Sequence, residues 1–224
     1  VLTVLFFHFT TPFTAPFKAL GGGWEAWARA ASVGGFGVDV FFVLSGYLIA
    51  KILTHRPVAS AFAYRDFIAR RAWRLLPTYI VALLVFTIAA LAIKPHSQVL
   101  SHSWLAWTMT LNLVTHLGNV GTLLGDDTFS LVHSWSLAAE WHFYLALPIL
   151  IRVTRSVRRA ALVLIFIAIA VRLAFHAGGV SHHLTYSFTL CRIDSLAFGC
   201  LLASLPFDAY KGRSRAIGVA GVAM

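Results

Sequence analysis

The 224-residue chain is 59% hydrophobic and only 12% charged, with a mean hydropathy of +0.79, against roughly 45–50% apolar and about 25% charged residues in a soluble domain. This excludes an ordinary water-soluble globule; the apolar residues gather in runs near the ~20-residue length that spans a bilayer, which predicts an all-α, polytopic transmembrane helix bundle. The formal net charge of +10 and pI near 10.3 do not indicate a nucleic-acid partner, because the cations gather beside apolar runs, in Lys51 to Arg74, Arg152 to Arg159 and Lys211 to Arg215, where the positive-inside rule places cytoplasmic loops.

In chain order, residues 1–17 (VLTVLFFHFTTPFTAPF) read as the later part of a first span, ended by Pro12 and Pro16, which remove helix donors. A glycine-rich loop with interfacial Trp24 and Trp27 leads to a second span over 36–53. The stretch RDFIARRAWRLLP then opens a third, over 75–93. Within 94–130, SWLAWTMTLNLVTHL is apolar but short and carries polar groups, which predicts a re-entrant or interfacial helix over 103–117. Spans over 131–151, 160–175 and 193–205 follow, divided by RVTRSVRR and a His-rich loop. The count is about six spans, and the last basic cluster leads into the start of a seventh. With the basic loops cytoplasmic, the first span, the third and that from Ala160 run outward, while those from Phe36, Leu131 and Ile193 run inward. Residue 1 is not Met, and both ends stand inside apolar segments. The expectation is a single transmembrane domain over 1–224, truncated at both ends.

An ionisable side chain in a span costs roughly 2.5–3.5 kcal/mol at the helix centre, so each needs a reason. His8 is either bonded to a neighbouring helix or a general base that takes a proton from a hydroxyl. His133, Ser136, Glu140 and Tyr144 recur at spacings of three, four and four, which places them on one helix face. Glu140 can then orient a histidine, or pair with an arginine such as Arg172 or Arg192. Arg70, Arg71 and Arg74 crowd one turn and suit either the phosphate oxygens of a donor or lipid headgroups.

Ser45 and Gly46 read as small packing residues in a bulky helix. Asp39 suits a cap or an arginine partner. Arg192 and Asp194 stand at the start of a span, and Gly199 suits a close crossing. Cys191 and Cys200, about 13 Å apart along one helix, would not form a disulfide. His176, His182 and His183 lack metal-ligand spacing, so no metal site is expected.

Five segments carry a resemblance when taken in order: His8 after its apolar run, GVDVFFVLSGYLIA, RDFIARRAWRLLPTY, HSWSLAAEWHFYLALP and CRIDSLAFGCLLA. Together they resemble the acyltransferase-3 family of multi-pass membrane O-acyltransferases. The resemblance implies a bundle of about ten helices in a bacterial-type plasma (inner) membrane, with no bound cofactor. The donor substrate it implies is acyl-CoA, acetyl-CoA foremost. The implied acceptor is a hydroxyl of a carbohydrate or glycolipid, as in O-acetylation of polysaccharide or lipopolysaccharide.

It also implies that His8 and Glu140 are catalytic, and that Arg71 and Arg74, with Arg70, bind substrate. Ser136 and Tyr144 beside Glu140, and Arg192 and Asp194, complete the expected substrate-binding set. The family's arginine upstream of the first-helix histidine has no counterpart here, because the chain begins too late. A competing expectation uses the same ionisable groups as the relay of a proton-coupled transporter, or assigns the chain to polymer export.

Overall fold

The computed structural model describes residues 36–58, 60–93, 103–114 and 134–206. His8, His133, the expected first span and the start of a seventh lie outside them. The described residues form eight helices and no strand: α1 (Phe36–His55), α2 (Ala61–Ile93), α3 (Ser103–Trp107), α4 (Leu111–Val114), α5 (Ser134–Thr154), α6 (Val157–Ala177), α7 (His182–Ser187) and α8 (Thr189–Ala203).

Among the described residues, three segments are long and apolar enough to cross a membrane: Gly37–His55, Ala61–Ala89 and Val157–Ala177. Helices α5 and α8, which the sequence presents as spans, are not among them. The 15 residues of α8 rise only about 22 Å at 1.5 Å per residue, and α5 carries Glu140, His142 and Arg152 among its 21 residues.

Helix α2 is the longest of the eight, with 33 residues rising about 50 Å, well beyond the ~30 Å hydrocarbon core. It starts at Ala61, ahead of the expected span, with the Ser60 hydroxyl accepting from the Ala63 amide at 3.1 Å. Arg70, Arg71 and Arg74 are therefore held on a continuous helix. The segment expected to form one re-entrant or interfacial helix is instead two short ones. Met109 adopts φ 56°, a left-handed conformation that helices do not continue through, and the Thr110 amide turns back onto the Leu105 carbonyl at 2.8 Å. Both pieces pack in a cluster with α2 and α5, where Tyr79 donates to the Ala106 carbonyl at 2.7 Å.

The core forms where α1, α5, α6 and α8 converge on Phe42, Ile49, Phe143, Leu147, Ala161 and Leu196. Its closest approach is the crossing of α1 and α8. A Cβ placed on Gly46 would stand 1.8 Å from the Leu196 carbonyl oxygen, and one on Gly199 would stand 2.0 Å from that of Val43. Only glycine permits two backbones to approach in this way. Helix α6 presents buried Ala160, Ala161 and Ala168 to the same core. Its outer face carries exposed Phe166, Ile169 and Leu173, side chains suited to lipid contact.

Candidate functional site

Helices α1, α2 and α5 enclose a cavity of about 350 Å³. From α2, Arg71, Arg74, Thr78 and Tyr79 line it; spacings of three and four put the first three on one helix face, with Tyr79 at its edge. From α5 come Glu140 and Tyr144, one turn apart, and from α1 comes Ser45. The rest of the wall is apolar and includes Phe41, Leu44 and Leu48 of α1.

Glu140 is only 4% exposed, and a buried carboxyl group needs partners. Its Oε1 accepts from the Ser45 hydroxyl and also from the Tyr144 hydroxyl. Those two hydroxyls lie 2.8 Å from each other, closing a three-membered polar cluster. Arg71 sits over the Phe67 ring at 5.7 Å, and its buried Nε has no hydrogen-bond partner among the described residues. The cavity therefore joins a carboxyl group, hydroxyls and two guanidinium groups in one largely apolar enclosure, and guanidinium groups are suited to hold an anionic group.

Arg70 points elsewhere. It pairs with Asp66 one turn earlier on α2, both side chains about half exposed, and it does not line the cavity. Ser136, one turn before Glu140, is half-buried but is not part of the cavity wall.

Arg192 and Asp194 also lie away from the cavity. Arg192 pairs with Asp39 of α1, and Asp194 with Arg172 of α6. Asp39 thus has the arginine partner that the sequence suggests, and it accepts from the Ser195 hydroxyl as well, at 2.8 Å. Neither Arg172 nor Arg192 is left for Glu140, which is held by hydroxyls instead of an ion pair. Arg192 also faces the Tyr186 ring at 4.6 Å and the Trp135 ring at 5.8 Å, so this cluster ties together the first turns of α1, α5 and α8. Burial pushes the Tyr186 phenol above its usual pKa, with Arg192 pulling the other way and Asp39 adding to the rise. His142, two residues after Glu140, faces a different neighbour: its Nδ1 lies 3.1 Å from the Thr189 hydroxyl, which also accepts from Asn112 at 2.5 Å.

Sequence reasoning misses Ser45, which it assigns with Gly46 to packing, and does not single out Thr78 or Tyr79. For Ser45 the available signal is a small hydroxyl residue in the middle of the apolar run FFVLSGYLIA. The structure separates the pair: Gly46 meets the backbone of α8, while Ser45 turns toward α5.

Over residues 1–224 the chain matches the family model described as an acyltransferase domain. It is 31% identical over 183 residues to SACOL0978 of Staphylococcus aureus strain COL, provisionally named an O-acetyltransferase, covering 77% of this chain and 30% of that protein. It is 30% identical over 198 residues to O-acetyltransferase OatA of Staphylococcus aureus strain NCTC 8325 / PS 47, covering 83% of this chain and 33% of OatA. The chain spans about a third of the length of these curated relatives. No solved structure matches it.

Proposed function

The chain belongs to the acyltransferase-3 family, and from that premise we propose that it is the membrane-embedded part of an O-acyltransferase that moves an acyl group from acyl-CoA to a hydroxyl of a cell-surface or secreted carbohydrate-containing acceptor. The observation that carries this reading is the shared cavity, in which the buried Glu140 carboxyl group and the Arg71 and Arg74 guanidinium groups line one enclosure. The O-acetyltransferase names of the relatives support acetyl as the group transferred.

In the proposed reaction, His8 takes the proton of the acceptor hydroxyl, and Glu140 holds the imidazole in the productive tautomer. The acceptor oxygen attacks the thioester carbonyl. The C–S bond breaks, and the departing CoA sulfur recovers the proton from His8. Arg71 and Arg74 hold donor phosphates in bidentate fashion in the half of α2 that starts from the basic loop. Placed in a bacterial-type plasma membrane with those loops cytoplasmic, the donor enters from the inside and the carbohydrate or glycolipid acceptor from the outside.

The test compares surface glycans and glycolipids by mass spectrometry in cells carrying the complete gene, no gene, or the His8→Ala or Glu140→Gln variant, with membrane levels checked by immunoblot. An acyl mass increment that depends on the gene and disappears in both variants is the expected result. An increment retained by either variant removes that residue from its role, and identical spectra with and without the gene refute acyl transfer.

A further inference from the structure

We infer that Ser45 is a positioning residue for the acyl transfer: its hydroxyl, donated from α1, fixes the orientation of the Glu140 carboxyl group on α5. The inference rests on the functional reading of Glu140 given above.

Glutamate has three rotatable side-chain bonds, and an oriented carboxyl group must present one oxygen in one direction. Tyr144 lies one turn along the same helix, so its hydrogen bond restrains the Glu140 rotamer without relating it to the rest of the bundle. Ser45 stands 95 residues earlier on another helix. Its bond to Oε1 refers the carboxyl group to α1, and both donors converge on that same oxygen. With Oε1 held by two hydroxyls, the direction of Oε2 is set by geometry.

A serine hydroxyl has almost no reach, so it can do this only if α1 is held at a fixed depth. The next residue does that. Gly46 puts the α1 backbone directly against the Leu196 carbonyl of α8, and Gly199 of α8 is set equally close to Val43 and Tyr47. Neither backbone can advance, and the Ser45 hydroxyl, on a residue 8% exposed, is delivered to Glu140 by the packing of its neighbour. The adjacent pair thus divides two tasks, with Gly46 setting the helix and Ser45 orienting the carboxyl group. A serine kept only for its small size would not need to donate to the carboxyl group and also contact Tyr144.

The experiment uses the complete protein in detergent or proteoliposomes, with acetyl-CoA as donor and the acceptor found by mass spectrometry. The variants are Ser45→Ala, Ser45→Thr and Glu140→Gln, each measured for kcat, KM for acetyl-CoA, and thermal midpoint. Misplacing a reacting group by about 1 Å can cost on the order of 100-fold, so Ser45→Ala is expected to lower kcat about 10–100-fold. KM should stay within about twofold, because the interaction removed is not one made with bound donor. Ser45→Thr, which keeps the hydroxyl, should restore kcat to within about threefold of the parent.

Unchanged kcat in Ser45→Ala overturns the inference. So does a loss of kcat that Ser45→Thr fails to restore at a parental thermal midpoint. If Ser45→Ala does not accumulate, Ser45→Cys takes its place, since it keeps a similar volume with a much weaker donor, and the same two results decide. Full activity in Glu140→Gln would instead remove the functional reading on which the inference rests. Loss in Glu140→Gln beside parental activity in Ser45→Ala would sink the positioning role alone.

Discussion

Replacing Gly46 with alanine is expected to destabilise the bundle by about 1–3 kcal/mol, the usual range for overpacking a tight interface. The added Cβ would lie 1.8 Å from the Leu196 carbonyl oxygen and 2.7 Å from its carbon, whereas real Cβ atoms essentially never come within 3.0 Å. Both are backbone atoms, so no rotamer change relieves the clash. The α1 and α8 backbones must separate by about 1.2 Å, a gap that forfeits a quarter to a half of the dispersion energy of each contact it opens. For a domain of 150–250 residues, each kcal/mol corresponds to roughly 2–4 °C, so the thermal midpoint should fall by about 2–12 °C.

The same displacement moves Ser45. That changes the geometry of its hydroxyl toward Glu140 and Tyr144, so transfer activity should fall together with stability. Gly199→Ala opens the same crossing from the other side. The double variant should therefore cost clearly less than the sum of the two single ones, as expected when two sites share one structural adjustment. Differential scanning fluorimetry on the purified complete protein, paired with an activity assay, measures both effects. A parental midpoint and parental activity in Gly46→Ala would refute the reasoning, and strict additivity in the double variant would show that the two glycines do not act on a common crossing.

Arg71→Ala should raise KM for acetyl-CoA by about tenfold or more, since a charge-assisted contact is worth roughly 1.5–3 kcal/mol. Arg70→Ala, which loses only an exposed pair with Asp66, should change stability and KM by no more than about 0.5 kcal/mol in the same steady-state assay. Arg192→Leu should destabilise the protein by about 1–3 kcal/mol, because it strands Asp39 and removes contacts with two aromatic rings. The Arg192→Leu, Asp39→Leu double variant should recover part of that loss in a thermal-melt cycle. Cys191 and Cys200 are free and buried, at 1% and 0% exposure. A maleimide should label neither in the folded protein and both after denaturation, as read by intact mass.

The ion pairs and the site show where the sequence is legible. Apolar runs announce helices at α1, α2, α5, α6 and α8, and the cost of burying charge announces that Asp39, Glu140, Arg172, Arg192 and Asp194 each need partners. Which partner each one takes is not legible. By spacing alone Glu140 can pair with either arginine, yet it is bonded to Ser45 and Tyr144. Ser45 itself looks like a packing residue because Gly46 beside it is one. The break at Met109 likewise has no marker, since methionine carries no local preference for a left-handed turn.

Composition and helical period therefore determine a helical, lipid-compatible chain with a few polar groups placed among apolar ones, because both properties follow from neighbours along the backbone. The enclosure shared by Ser45, Glu140 and Arg71, and the Asp39–Arg192 pair, are decided by tertiary structure alone. The Ser45–Glu140 and Asp39–Arg192 contacts join residues 95 and 153 positions apart, and their alignment depends on how far two helices approach at Gly46 and Gly199. The two glycines mark in the sequence where a close crossing is possible, but which helices meet there, and how closely, is a property of backbones in contact.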